Sequence, residues 1–150
     1  MNATELRMAV NKKFAPRFAP DARLIYMRGR RPVVDERALK RLGFLLYARR
    51  TWPDVVLHAP RRKRLYLIQV VGACGPISPE RRQELETMLS DSVVKRVYVS
   101  VFSDLKEYTR RARNIAWDTD AWIAAIPHHM IHHNGVEHLR PRRSSKRQAS

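Results

Sequence analysis

The chain has 150 residues, of which 44% are hydrophobic, so it is long and apolar enough to bury one ordinary core and is not a disordered basic tail. Thirty Lys and Arg residues against fourteen Asp and Glu residues give a formal net charge of +16, which favours a polyanionic partner, with nucleic acid as the first candidate. No apolar run approaches the roughly 18 residues that a membrane-spanning helix needs, so we expect a cytoplasmic protein without a membrane partner. The single cysteine, Cys74, excludes an internal disulfide and is interpreted as a small buried packing residue.

The amino-terminal part of the chain predicts an arm, a strand and a helix. Residues 1–17 are basic and weakly patterned, so we predict an arm in front of a domain that spans residues 18–139. The apolar residues 24–27 predict a short strand. Residues 35–42 predict a helix, because their apolar positions have helical spacing and Gly43 stands at the stop position.

A hairpin pattern then places two polar side chains opposite each other. Asp54 opens the apolar segment 55–57, Gln69 interrupts the apolar run 65–71, and a basic turn separates the two. Because neighbouring strands lie about 5 Å apart, an acid at a strand start and a polar group on the next strand can converge on one divalent cation. Mg²⁺ is often held by one or two carboxylates with water and substrate phosphate. The alternative is a solvated Asp54 and a Gln69 that pairs with the backbone.

The second half of the chain predicts helices that alternate with strands. Ser78 and Pro79 are typical of an N-cap and a first helical position, which predicts a helix to about residue 90 with Glu80 and Arg81 in its first turn. A buried strand, a capped helix and another strand follow, at residues 93–102, 104–115 and 121–126. This order predicts the α/β fold class.

Several motifs in this order resemble one family of enzymes. They are Phe18-Ala19-Pro20, Pro53-Asp54-Val55-Val56-Leu57, Gly75-Pro76-Ile77-Ser78, Ile115-Ala116-Trp117, His129-Met130-Ile131-His132 and Asn134-Gly135. Together they resemble the BsuBI/PstI family of type II restriction endonucleases over nearly the whole chain. The resemblance implies a PD-(D/E)XK nuclease fold, which is a mixed sheet flanked by helices, and Mg²⁺-dependent hydrolysis of duplex DNA at a short palindromic site. Analogy with that symmetry predicts a homodimer.

The catalytic segment departs from the family pattern at three places. The resemblance implies an acid at position 69, Thr-Ser-His at positions 72–74 and a lysine at position 80, where this chain has Gln69, Gly72-Ala73-Cys74 and Glu80. A neutral amide binds Mg²⁺ more weakly than a carboxylate, and an acid in the lysine position repels substrate phosphate. We predict Asp54 and Gln69 as metal ligands, Glu80 and Arg81 beside them in the catalytic site, and weakened or lost cleavage.

Basic and polar side chains along the chain are candidates for contacts with DNA. The predicted contacts are Arg61, Arg62, Lys63, Ser78, Arg81, Arg82, Arg110, Arg111, His129 and His132. A solvated face is the alternative for the helix arginines. Glu36 is either an outer acidic ligand of the metal site or a charge that stabilises its helix amino terminus. Residues 140–150 include five basic residues and predict a disordered tail that adds non-specific affinity.

Two further patterns invite other functions. The histidines within residues 128–133 are of a type that binds zinc, but consecutive residues of a strand point to opposite faces, which disfavours a shared ion. Trp52, Trp117 and Trp122 lie beside element boundaries and are interpreted as core or cleft-wall residues rather than base-stacking platforms.

Three functions stay open at this point. The first is a DNA-binding endonuclease-like domain with Mg²⁺-dependent cleavage. The second is a catalytically inactive DNA-binding module, the decayed relic of a restriction gene. The third, which rests on charge alone, is an RNA-associated basic protein.

Overall fold

The computed structural model describes residues 1–90 and 92–134. Within them, one seven-stranded sheet has the strand order β2-β1-β3-β4-β5-β6-β7. The strands are β1 (Arg23–Met27), β2 (Val33–Val34), β3 (Val55–Ala59), β4 (Arg64–Val70), β5 (Lys95–Phe102), β6 (Thr119–Ile123) and β7 (Met130–His133). The pairs β4–β5 and β5–β6 are parallel, and the other neighbouring strands are antiparallel. This mixed sheet with its helices confirms the fold class predicted from the sequence.

Five α-helices are present in the described residues. They are α1 (Ala3–Ala9), α2 (Ala15–Phe18), α3 (Glu36–Arg41), α4 (Pro79–Met88) and α5 (Leu105–Arg111). A π-helical turn, Val10–Phe14, joins α1 to α2, and 3₁₀ turns occupy Leu46–Thr51, Pro60–Arg62 and Ala112–Asn114.

The predicted helix boundaries of α3 and α4 are confirmed by their caps. The Asp35 carboxylate accepts a hydrogen bond from the Ala38 N–H, and Gly43 follows α3 with a φ of +99°, a left-handed conformation that glycine adopts easily. At α4, the Ser78 hydroxyl accepts a hydrogen bond of 3.2 Å from the Arg81 N–H. Local sequence signals were sufficient for both helices.

The amino-terminal segment is part of the core. Leu6, Val10 and Phe14 recur four residues apart, are at most 2% exposed, and pack on the sheet face that carries Ile68. Burial of each such side chain contributes about 1.5–3 kcal/mol, which holds the helix on the sheet. The structure differs here from the predicted arm over residues 1–17, because the basic residues stand between apolar positions that share one helix face. The predicted tail over residues 140–150 lies outside the described residues.

The other face of the sheet fixes the backbone at the start of β3. Trp52 is 1% exposed and packs nearly perpendicular to the rings of Tyr26 and Phe44, with centroid distances of 5.0 and 5.2 Å. Its position in the core agrees with the sequence interpretation, and Trp122 is buried as well. Trp117 is 47% exposed and lines a surface pocket beside α4, which fits the cleft-wall interpretation. The main chain of Trp52 is held firmly beside the sheet edge where the predicted site lies.

Candidate functional site

The candidate site lies at the sheet edge where β3 begins and β4 ends. Val55 pairs with Ile68 in the antiparallel ladder, so Asp54 and Gln69 stand at the next facing positions. Both side chains line one cleft. The structure thus brings together the two residues that the hairpin pattern placed opposite each other.

One backbone N–H and two guanidinium groups contact the Asp54 carboxylate. Its Oδ2 accepts a hydrogen bond of 2.9 Å from the Val70 N–H. Its Oδ1 lies 3.3 Å from Nε of Arg28 and 3.5 Å from Nη1 of Arg7. Since the Asp54 side chain is only 16% exposed, these donors replace much of the water that would otherwise stabilise its charge.

Gln69 is 7% exposed, and both ends of its amide are paired. Its Nε2 donates to the Gly75 carbonyl at 2.8 Å, and its Oε1 accepts from Nε of Arg81 at 2.9 Å. The bond to Gly75 fixes the orientation of the amide, because only the NH₂ group can donate to a carbonyl. The oxygen that was predicted to bind a metal therefore faces a guanidinium group.

Arg28 and Arg81 meet at one main-chain carbonyl. The Nη2 atoms of both residues donate to the carbonyl of Trp52, at 2.6 and 3.3 Å. Arg28 is held in addition by its own N–H, which donates to the Asp54 carbonyl at 2.8 Å. The two guanidinium groups therefore lie close together beside Asp54 and Gln69.

An open cleft of about 940 Å³ contains this cluster. The charged residues that line it are Arg28, Arg50, Arg81 and Arg113, with Asp54, Glu80 and Glu84. The first turn of α4 forms one wall, where Arg81 contacts Glu84 at 3.2 Å and Glu80 is exposed. Guanidinium groups and a helix amino terminus both attract phosphate, so the cleft has the chemistry of a polyanion site.

The sequence matches a family model over almost its whole length. The BsuBI/PstI restriction endonuclease domain covers residues 2–136. The chain belongs to this family. This match confirms the family resemblance that the sequence motifs indicated.

Three similar restriction enzymes are longer proteins than this chain. Type II restriction enzyme BsuBI of Bacillus subtilis is 38% identical over 141 residues, which are 92% of this chain and 45% of BsuBI. Type II restriction enzyme AplI of Arthrospira platensis is 36% identical over 115 residues, which are 75% of this chain and 36% of AplI. The solved structure of SdaI restriction endonuclease matches with a TM-score of 0.83 at 32% identity, over 94% of this chain and 46% of SdaI. The chain spans less than half the length of each of these relatives.

The side chains of the site do not fit the Mg²⁺ ion that this family implies. The Asp54 carboxylate oxygens face a backbone N–H and two guanidinium groups, and the two other carboxylates in the cleft lining, Glu80 and Glu84, lie on α4. The amide oxygen of Gln69 faces a third guanidinium group. Hard cations need oxygen ligands and negative charge, and neighbouring positive charges oppose their binding. Within residues 1–90 and 92–134, no three His, Cys, Asp or Glu side chains are grouped so that they could hold a metal ion.

The basic turn of the β3–β4 hairpin lies at the other end of the sheet. The five residues of β3 separate it from Asp54 by about 17 Å. Arg62 forms an ion pair of 3.2 Å with Asp21, whereas Arg61 and Lys63 are exposed. The structure does not bring these three predicted DNA contacts to the cleft.

Three other predicted arginines contact protein groups and are not part of the cleft lining. Arg82 donates to the Trp117 carbonyl at 2.7 Å, and its guanidinium lies 5.6 Å from the Tyr98 ring centroid. Arg111 donates to the Gly72 carbonyl at 3.2 Å, and Arg110 pairs with Glu107 at 3.4 Å. Arg111 thus supports the loop after β4, and Arg110 lies on an exposed helix face.

The predicted histidines lie away from Gln69. His132 contacts Asp120 at 2.6 Å, and the strand register puts this pair on the face of the sheet opposite to Gln69. His129 is exposed. Burial lowers the pKa of His133, whose Nε2 lies 3.0 Å from the Tyr108 hydroxyl. These histidines therefore do not contribute to the Asp54 cleft.

Cys74 corrects a sequence expectation. It was interpreted as a buried packing residue, but it is exposed and lines the cleft. The chain leaves the sheet after Val71, which is still buried, and residues 72–74 are exposed.

Three arginines of the site were not identified from the sequence. They are Arg7, Arg28 and Arg50. For Arg7, the spacing of Leu6, Val10 and Phe14 was a usable helix signal. Arg28 directly follows β1 and becomes a neighbour of Asp54 only because β1 pairs with β3, a long-range pairing that no local pattern reveals.

Proposed function

We propose that this chain binds duplex DNA in the cleft beside Asp54, and that it hydrolyses phosphodiester bonds far more slowly than a site with two carboxylates and a lysine. The observation that carries the proposal is the set of four arginines that line the cleft around Asp54. Membership of a restriction endonuclease family supports duplex DNA as the ligand. Phosphate contacts by arginine supply affinity without a need for sequence recognition.

Slow hydrolysis follows from the charges at the sheet edge. Mg²⁺-dependent cleavage is the activity that family membership implies, and Asp54 is the acid of the family pattern that this chain retains. A divalent cation beside Asp54 would compete with Arg28 for Oδ1 and with Arg81 for the Gln69 oxygen. Glu80 adds a negative charge where the family pattern has a lysine, so it disfavours an approaching phosphate.

A cleavage assay tests the catalytic part of the proposal. Duplex DNA of random sequence is incubated with Mg²⁺ or Mn²⁺ and with the parent chain, with Asp54→Ala, or with the double variant Gln69→Glu, Glu80→Lys. We expect a small but measurable amount of product from the parent and at least about a hundredfold more from the double variant, since two charge changes favour the cation and the phosphate. Adding Asp54→Ala to the double variant should abolish that gain.

The same assay has outcomes that contradict the proposal. Parent cleavage as fast as that of the double variant would show that Gln69 and Glu80 do not limit the chemistry. Parent cleavage that survives Asp54→Ala would place the reaction elsewhere. A parent that retains no duplex DNA in a gel-shift assay, or that prefers structured RNA at the same salt concentration, would refute the ligand.

A catalytically inactive DNA-binding module is the second candidate. The observation that favours it is that guanidinium groups face both oxygens expected to bind the cation. A silent parent together with an active double variant would support this candidate, because the fold would then hold a competent site once the charges are restored.

Two further properties belong to the same proposal. A dimer that binds a palindromic duplex would follow from the symmetry of such sites, and analytical ultracentrifugation with and without DNA tests it. No helix in the described part of the chain is long and apolar enough to cross a membrane. We place the protein in the cytoplasm, where its DNA ligand would be, and fractionation of cells that express it checks that location.

A further inference from the structure

Arg28 and Arg81 are arranged around a fixed main-chain acceptor. Both donate to the carbonyl of Trp52, whose ring is 1% exposed between Tyr26 and Phe44. Each guanidinium is also oriented by a side chain of the sheet edge, Arg28 by Asp54 and Arg81 by Gln69. Two fixed contacts for each planar group restrict its rotation, so little side-chain entropy is lost when a ligand binds.

Arg28 keeps one nitrogen without a partner among the described residues, and the two Nη atoms of Arg81, which donate to Glu84 and to the Trp52 carbonyl, each carry a second N–H. In the described residues, Nη1 of Arg28 has no hydrogen-bond or ion-pair partner, and the Arg28 side chain is 35% exposed. Arg50 and Arg113 line the same cleft and are exposed, and within the described residues their side chains form no hydrogen bond or ion pair. The cleft thus offers oriented donors at its floor and unpaired positive charge at its rim. A phosphodiester group matches such an arrangement through charge-assisted hydrogen bonds.

We propose that Arg28 and Arg81 take the place of the family's divalent cation and bind the phosphodiester of DNA directly, so that this cleft binds DNA without a metal. The proposal rests on the proposed function, since it presumes that DNA enters the cleft. The proposal follows from the observation that the side chains around Asp54 do not suit Mg²⁺. Arginine side chains of the protein itself supply the positive charge beside Asp54. Gln69 suits this role better than an acid would, because its neutral oxygen orients Arg81 without adding a negative charge to that of Glu84.

Fluorescence anisotropy with a labelled duplex tests metal independence. Affinity in EDTA should lie within about twofold of the affinity in Mg²⁺ at equal ionic strength, since no counter-ion bridge is needed. The double variant Arg28→Gln, Arg81→Gln should lose at least about tenfold in affinity and have a shallower salt dependence. The matched control Arg23→Gln, Arg37→Gln removes the same charge outside the cleft lining and should lose less than about threefold.

A titration with Mn²⁺ alone tests the replacement without DNA. Electron paramagnetic resonance of the free ion should detect no bound Mn²⁺ in the parent, at concentrations where the variant Gln69→Glu, Arg81→Gln binds one ion. Circular dichroism confirms that each variant is folded, and the parent titration needs no variant at all.

The outcomes separate the two proposals. If the parent binds no duplex DNA, the proposed function fails, and the Mn²⁺ titration still decides whether arginines exclude the cation. If the parent binds DNA but loses it in EDTA, binds Mn²⁺ tightly, or responds to Arg28→Gln, Arg81→Gln no more than to the control, DNA binding stands and the direct role of these arginines is overturned.

Discussion

The two ends of the β3–β4 hairpin both carry arginines, and they differ in what those arginines contact. At the start of β3, Arg7 and Arg28 face Asp54 in a cleft where the carboxylate is 16% exposed. At the turn, Arg62 faces Asp21 on the surface, where the two side chains are 54% and 28% exposed. One end is an enclosed cluster of paired charges, and the other is a solvated pair with exposed neighbours.

This difference shows why a count of charges does not locate a binding site. A net charge of +16 spreads arginines over the whole surface, and the most basic short segment, residues 61–64, lies at the end of the sheet without the cleft. What distinguishes the other end is a concave surface, a fixed carbonyl and side chains that orient each guanidinium. Such orientation is what makes a charge specific for a phosphate oxygen.

The largest expected difference between the two ends is in stability. Asp54→Ala leaves Arg7, Arg28 and the Val70 N–H without their acceptor in a partly enclosed place, and we expect the free energy of unfolding to fall by about 3 kcal/mol. Asp21→Ala removes an exposed partner of Arg62 and should cost less than about 1 kcal/mol. Urea denaturation of both variants measures this difference. Equal losses would show that the cleft pair is as solvated as the surface pair.

Charge removal at the two ends should also affect DNA binding unequally. The variant Arg50→Gln, Arg113→Gln removes two charges from the cleft rim, and we expect about a tenfold loss of duplex affinity, or about 1.4 kcal/mol. The variant Arg61→Gln, Lys63→Gln removes two charges from the turn and should lose less than about threefold. Filter binding at one salt concentration compares them. A larger loss for the turn variant would move the DNA to the other end of the sheet.

The smallest expected effect is a pH dependence at the turn end. Burial, with Arg23 and Arg41 nearby, lowers the pKa of His58 from its ordinary value of 6.5. The unfolded chain therefore binds more protons than the folded chain as the pH falls below 6.5, and the free energy of unfolding decreases. Because His58 is only partly buried, the effect should stay below about 1 kcal/mol.

Unfolding of His58→Gln at pH 7 and at lower pH measures that dependence. The free energy of unfolding of the variant should decrease less on acidification than that of the parent. The decrease that remains should come in part from His133, whose pKa is also lowered. His129→Gln changes an exposed histidine and serves as the control. A slope that is unchanged in His58→Gln would assign the acid sensitivity to other groups.

The parts of the fold that were predictable are those that local chemistry determines. Ser78 and Asp35 bind the amides at their helix starts, and Asp54 and Gln69 face each other because they flank one tight hairpin. Each of these signals lies within a short stretch of chain. The rest of the fold was predicted through the family resemblance, because the family's fold already includes a complete sheet topology.

The partners of Asp54 could not be predicted in the same way. Arg7 is 47 residues from Asp54 in sequence and reaches it from a helix on the core face, and Arg28 arrives through the β1–β3 pairing. Neither contact can be recognised from the sequence pattern around Asp54. The cleft therefore looked like a damaged metal site in the sequence, whereas the structure has guanidinium groups around its one retained acid.

The position of Arg7 has a practical consequence for work with recombinant chains. Leu6, Val10 and Phe14 are core residues, and Arg7 on the same helical segment contacts Asp54. A recombinant chain that starts at residue 18 would lose both a layer of the core and a neighbour of the cleft acid. Protease cleavage near the amino terminus should therefore disturb the cleft around Asp54, although Arg7 and Asp54 are far apart in the sequence.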